Sequence, residues 1–360
     1  MKISISGGLK EPNMEQNEQI IDEAIKGSLN IIEQDREREI ISRRFGLTGY
    51  KETLEQIGDM LSITRERVRQ LEKAILIRLR VGSEEGQIPA LPAAEKLIIR
   101  NLSEAGRVAK VSALADKIYG RETTTSERAG LAFLASVSSS LTVVDENDRY
   151  HQAIGIIEYG DDRDIKKRVD KIVEVIKANK APMTLDELDS KLDYEHPSYL
   201  EATATVSKLL ATLNGFWGLA KWPTVNPKNI RDKIYVILEN NKQPMHFSDI
   251  AKAISESNFK RKNVTTQAIH NELIKDSRFV LIGRGIYALD TWGYKKGTVS
   301  EIITAILEEA DKPLSREEIV REVLHSRKVK ETTILLNLQN KKLFVKVDRN
   351  AYALADTDKA

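Results

Sequence analysis

The strongest constraint on how this chain folds is a short motif that returns at intervals close to the size of a minimal domain. Residues 182–188, 244–250 and 313–319 each open on proline and an apolar residue and end on an acidic residue followed by an aliphatic one, with starts 62 and 69 positions apart. Residues 108–114 form a fainter copy. After each copy comes a stretch in which apolar and polar residues partly alternate around a turn, at 141–151, 216–222, 279–289 and 344–354, and this alternation predicts a strand hairpin. Ile165, Val169, Ile172, Val173 and Ile176 recur at helical spacing ahead of Pro182, as do Val299, Ile302, Ile303, Ile306 and Leu307 ahead of Pro313. In the last copy a second helix is expected from Ser315 and a third around 332–338. Helix, helix, helix, hairpin is the order of a winged helix. A unit of about 65 residues is near the lower limit for a self-sufficient core, so neighbouring units are expected to lean on one another.

Composition narrows the setting. The 360 residues carry 56 Lys plus Arg against 54 Asp plus Glu, a formal charge of +2, with 41% apolar residues. No apolar run is long enough to span a bilayer, and the apolar fraction argues against wholesale disorder. Cysteine is absent, which excludes disulfides, thiolate zinc sites, Cys-ligated clusters and a Cys nucleophile. The first ten residues lack a basic segment followed by an apolar core, so a cytoplasmic location is expected.

Ahead of the repeats the pattern is purely helical. The first thirty residues suggest a mobile start and one modest helix. Asp35 is placed to cap a helix carrying Ile40, Ile41 and Phe45 on one face, with Gly46 as its stop. Thr53 and Gln56 have capping-box spacing for a short helix bearing Leu54, Ile57, Gly58 and Leu61. Ser62 and Ile63 make a turn, and Thr64 caps a helix expected to run to about Arg80 before Gly82, Gly86 and Pro89 break the pattern. The expected fold is mainly α: a mobile segment over 1–34, a helix-turn-helix over 35–81, a linker over 82–92, and about four tandem winged-helix (α+β) units over 93–160, 161–228, 229–294 and 295–360.

The helix after Thr64 carries the clearest functional signal. At about 100° per residue, Val68, Leu71, Ile75 and Leu79 form one stripe while Glu66, Arg69, Gln70 and Lys73 gather away from it, with Arg65 at the edge. Six basic residues (Arg65, Arg67, Arg69, Lys73, Arg78, Arg80) stand against Glu66 and Glu72, a local excess in a nearly neutral chain. Arginine matches guanine, glutamate accepts from the cytosine amino group and glutamine matches adenine, so this face suits base reading. A solvated charged face is the plain alternative.

Residues 35–47, 53–58 and 64–72 closely resemble region 4 of the sigma-70 family of transcription factors. The resemblance covers 35–80. It implies a helix-turn-helix that recognises an upstream promoter element in double-stranded DNA and also touches the flap of the RNA polymerase β subunit. Arg65, Glu66 and Gln70 match its base-contacting positions, and Arg67 and Arg69 match positions on the DNA backbone. Thr53 and Thr64, at the starts of the two helices, and Lys73 complete the expected DNA-binding set. Nothing resembles sigma regions 2 or 3, and the 34 residues before Asp35 are too few for them, so a complete initiation factor is not expected. Ile75, Leu76 and Ile77 are more apolar than is usual there and are expected to pack against another part of the chain.

Residues 279–289 resemble the closing hairpin of the HARE-HTH winged-helix family, with 344–354 a looser echo; the resemblance spans 230–292 and implies a setting in transcription and DNA. Gly283, Gly285 and Ala288 also fit a G-x-G-x-x-A pattern, but the following residues read as a return strand, so a tight turn is expected rather than a dinucleotide site. Lys260, Arg261 and Lys262, or Lys341, Lys342, Lys346 and Arg349, are candidates for nonspecific contact with DNA phosphates. Trp217 and Trp222 are expected to pack. The five histidines are scattered and no P-loop or G-x-S-x-G sequence occurs, so no enzyme, metal or cofactor is expected. The leading expectation is a DNA-binding transcription regulator whose tethered modules reinforce one another through effective concentration. The alternative is an RNA polymerase-associated interaction protein docking on the β flap, and a third class is the DNA-recognition part of a restriction or repair system.

Overall fold

The computed structural model describes residues 14–194, 196–261 and 263–355. The chain divides into two compact units after Lys221.

In the first unit, α1 (Met14–Asn30) precedes a helix-turn-helix formed by α2 (Asp35–Phe45), α3 (Leu54–Leu61) and α4 (Arg65–Glu84). A small core of Ile40, Ile57 and Val68, with Leu54, Leu61, Ile63 and Leu71 around it, holds the three helices together. Their backs then merge into a larger core. Ile21 and Ala24 of α1, Ile41 of α2 and Ile75 and Leu79 of α4 are all fully buried in one cluster with Leu131, Phe133 and Leu134, each large side chain contributing about 1.5–3 kcal/mol. Phe45 meets Phe133 edge-on at 5.2 Å, and Arg80 Nε donates to the Ser136 carbonyl at 2.8 Å.

Phe133 belongs to the first of two winged-helix-like blocks in this unit. That block comprises α5 (Leu91–Ala105), β1 (Val108–Lys110), α6 (Val111–Tyr119), α7 (Thr125–Val137), β2 (Leu141–Val144) and β3 (Ala153–Ile156), with sheet order β1-β3-β2. The second has α8 (Asp162–Asn179), α9 (Leu185–Leu192), α10 (Pro197–Val206), β4 (Leu210–Leu213) and β5 (Phe216–Leu219), with Met183 bridging Trp217 on β5. The helix before the hairpin is largely interior in both. Eight of the thirteen residues of α7 and five of the ten of α10 are buried, so neither offers a free face wide enough to enter a groove.

The second unit repeats the order twice. First come α11 (Ile230–Asn241), β6 (Met245–His246), α12 (Phe247–Glu256), α13 (Thr266–Lys275), β7 (Phe279–Gly283) and β8 (Ile286–Leu289). Then follow α14 (Val299–Ala310), β9 (Leu314–Ser315), α15 (Arg316–Ser326), α16 (Glu331–Leu338), β10 (Phe344–Asp348) and β11 (Ala351–Leu354). Each block folds a short strand back onto its hairpin, giving orders β6-β8-β7 and β10-β11-β9. The fold is thus mainly α, a helix-turn-helix followed by winged-helix-like units.

Several local expectations change. The modest helix expected near the start is present as α1, but its inner face lies in the core rather than on a mobile segment; residues 1–13 lie outside the described residues. The cap position of α2 is Gln34, which makes no side-chain bond, and Asp35 instead accepts from Arg38 at 2.9 Å. Helix α4 runs past Arg80 and through Gly82 to Glu84, because Ile75 and Leu79 anchor it and Gln87 packs over the glycine. The segment expected as a linker is therefore partly helical. The first hairpin extends to Ile156, and the second begins at Leu210 rather than Phe216. Residues 283–288 turn from β7 to β8 with Gly285 at φ 69° and no α-helix start follows.

Candidate nucleic-acid interface

Local chemistry builds the α3–turn–α4 unit. Thr53 Oγ1 accepts from the Gln56 amide at 3.2 Å while Gln56 Oε1 accepts from the Thr53 amide at 2.9 Å, the reciprocal bonds of a capping box. Ser62 takes the left-handed conformation in the turn, φ 54°, and Thr64 Oγ1 caps α4 through the Arg67 amide at 3.2 Å. Gly58 sits where the chain doubles back: a Cβ there would lie 2.7 Å from the Ile63 carbonyl. Val68 is fully buried beneath the turn, which turns the residues around it outward.

All eight residues expected at the interface, Thr53, Thr64, Arg65, Glu66, Arg67, Arg69, Gln70 and Lys73, are exposed. Their electrostatics differ. Arg69 grips Glu66 with two bonds, Nη2 to Oε1 at 2.6 Å and Nε to Oε2 at 2.8 Å, and Gln70 Nε2 adds a third to Oε1 at 3.3 Å. The Arg69 bonds hold the Glu66 carboxyl below its ordinary range, and Glu66 in turn raises Arg69. A carboxylate has about four acceptor positions; with three filled, Glu66 keeps one for a base amino group and is aimed by its neighbours.

The positive charges of α4 differ in how far they are engaged. Arg78 forms a close ion pair with Glu37, Arg80 donates to the Ser136 carbonyl while keeping its charge, and Arg69 is balanced by Glu66. Among the described residues, Arg65, Arg67 and Lys73 have no ion pair or hydrogen bond through their side chains. The same face continues along α4 into Ile77 and Val81, which are 53% and 47% exposed. Ile75 packs inside and Leu76 is half-buried against the core, but Ile77 does not pack as expected. Sequence reasoning also missed Arg36, which donates to the Leu61 carbonyl at the end of α3 at 2.6 Å, and Arg44, which holds Glu72 at 3.1 Å; pairings across 25 and 28 residues leave no local signal.

The secondary basic candidates fall out differently. The carbonyls of Lys260 and Arg261 both accept from Lys233 Nζ at 2.8 Å, and burial lowers the pKa of that lysine. Lys262 lies outside the described residues. Lys341, Lys342, Lys346 and Arg349 are exposed on and around β10. Trp217 is buried, as expected. No helix of the described residues is long and apolar enough to cross a membrane.

Comparison with known proteins places residues 34–81 in the family model described as sigma-70, region 4. The chain is also 36% identical over 80 residues to RNA polymerase sigma factor sigF, chloroplastic, of Arabidopsis thaliana. That match covers 22% of this chain and 14% of the relative. The helix-turn-helix of α2 to α4 is therefore of the sigma region 4 type, and the match spans only a small part of the plant protein.

Proposed function

We propose that the chain is a transcription regulator that reads a promoter-like element in duplex DNA through the first two turns of α4. What carries this reading is the exposed triad of Arg65, Glu66 and Gln70, with Glu66 fixed by Arg69, beside the unpaired cations Arg67 and Lys73. The sigma region 4 match supports a DNA-binding, transcription-related role for this part of the chain. Arg65 suits a guanine, Glu66 a cytosine and Gln70 an adenine, each good base pairing worth about 1–3 kcal/mol of discrimination. Arg67, Lys73 and the capping hydroxyls of Thr53 and Thr64 suit phosphates. No catalytic step is required of it.

The decisive experiment measures binding to a duplex with a minus-35-like element and to a scrambled duplex over a salt series, for the wild type and for the variant with alanine at Arg65, Glu66 and Gln70. Preference for the element that vanishes in the variant while a salt slope persists supports base reading. Equal, variant-insensitive binding to both duplexes overturns it.

A second reading, docking on the β flap of RNA polymerase, is favoured by one feature. Ile77 and Val81 give the outer face of α4 an apolar end that phosphates cannot use. Retention of core polymerase by the triple-alanine variant, without DNA preference in the wild type, supports this alternative.

A further inference from the structure

The hairpins of the last two blocks match pair for pair. Phe279 pairs with Leu289 as Phe344 does with Leu354, Val280 with Ala288 as Val345 with Ala353, and Leu281 with Tyr287 as Lys346 with Tyr352. Each outer strand then slips register at the same place, between Leu281 and Gly283 and between Lys346 and Asp348. Ile282 and Val347 are thus equivalent, as are Val280 and Val345.

Their surroundings are not. In the earlier block Val280 and Ile282 are 1% and 0% exposed, because Trp292 and Tyr294 fold over them together with Ile286 and Ala288. The free edge of β7 is closed too. The Ile282 carbonyl accepts from the Lys328 amide at 2.9 Å, and Gly283 permits the approach, since a Cβ there would lie 2.5 Å from the Lys328 carbonyl. In the last block Val345 and Val347 are 46% and 58% exposed, with Leu343 beside them at 38%. Strand β10 is the outer strand of its sheet, and no strand of the described residues pairs with its free edge.

We propose that the outer face and edge of β10 form a docking site for an extended, acidic, aromatic-bearing peptide segment of a partner protein. The chain supplies its own template for the occupant: Trp292 and Tyr294, carried by the turn after β8, cover β7, and an extended backbone at 327–328 closes its edge. The acidic requirement comes from charge. Lys341, Lys342, Lys346 and Arg349 surround the valines without an ion pair among the described residues, and Asp348 is the one acid between 341 and 350. Duplex DNA would satisfy these cations but would leave the two valines and the strand edge unused, whereas strand addition uses both. This site is independent of the base-reading face of α4.

The test uses the full chain and a fluorescein-labelled hexapeptide copying residues 289–294, read by fluorescence anisotropy. Saturable binding is expected, weakened at least about tenfold by Val345→Asp with Val347→Asp. Lys346→Gln with Arg349→Gln, which leaves the apolar face intact, is expected to weaken it as well, and Arg65→Ala to leave it unchanged. Absence of saturation, or binding indifferent to both paired variants, overturns the proposal. Loss of duplex DNA affinity in the valine variant assigns the face to nucleic acid instead, and self-association in sedimentation that the valine changes abolish assigns it to a second copy; either overturns the proposal as well.

Discussion

Two single substitutions on α4 separate charge that is available to DNA from charge already spent. Lys73 has no partner among the described residues, so neutralising a phosphate with it releases about one counterion. Lys73→Gln is expected to reduce the slope of log K against log salt by about 0.9 and to leave the preference for the element nearly unchanged. Arg69 is different, because Glu66 occupies its Nε and Nη2 at 2.8 and 2.6 Å. The pair is neutral before DNA arrives, and recruiting Arg69 to a phosphate would break it. Arg69→Gln is therefore expected to change the slope by less than about 0.3. It removes the two bonds that aim Glu66, so discrimination at the base facing Glu66 should fall about tenfold. Binding isotherms on the element and on single-position variants, from low to moderate salt, give both quantities from one data set. If Arg69→Gln lowers the slope by about 0.9 and spares the base preference, Arg69 is a phosphate contact and the positioning role assigned to it is wrong.

Three further outcomes follow from the packing. Gly58→Ala gains about 1 kcal/mol of helix propensity but sets a Cβ 2.7 Å from the Ile63 backbone carbonyl, which cannot rotate away; a net loss of about 1–2 kcal/mol in urea denaturation is expected, and an alanine variant as stable as the wild type would contradict the close approach. Phe133→Ala should cost about 3–5 kcal/mol, and because Phe133 shares its core with α1 and α4, DNA binding should be lost at the same urea concentration as helicity rather than surviving it. Glu127 is held down to about 2, chiefly by its hydrogen bonds with Arg121. A depressed carboxyl stabilises the fold above its unfolded pKa and ceases to do so as pH falls through the folded one, so Glu127→Gln should lower the urea midpoint near neutral pH and converge on the wild type between 4.5 and about 2. A gap that widens on acidification would contradict the assignment.

Short-range chemistry is what sequence exposes in this chain. The capping box at Thr53 and Gln56, the Thr64 cap and the stripe of Val68, Leu71, Ile75 and Leu79 all depend on residues within a few turns of each other, and they place the outward face of α4 directly. The hairpins at 279–289 and 344–354 read equally well because their pairing is local. What escaped depends on distant partners. The engagement of Arg78 and Arg80 leaves no local signal, because Glu37 lies 41 residues from Arg78 and Ser136 lies 56 residues from Arg80. The continuation of α4 through Gly82 rests on the core beneath it, which outweighs the glycine's weak helix propensity. Nor could periodicity reveal that α7 is buried on most sides, since α1, α2 and α4 supply the covering surfaces from earlier in the chain.

That burial of α7 changes how α4, the helix proposed to read DNA, is aimed. A helix-turn-helix on a flexible tether samples every azimuth around its own axis, and the rest of the protein adds only local concentration. Here α4 is clasped to α7 through Leu79, Phe133 and the Arg80 bond, so the helix behaves as the bit of a key whose bow is the first winged-helix-like block. Once α4 enters a groove, the block's position along the duplex and its side of the axis are settled by the same contact. The footprint of the first unit should therefore be asymmetric about the recognised bases and should reverse with the orientation of the site, giving the element a direction as well as a sequence.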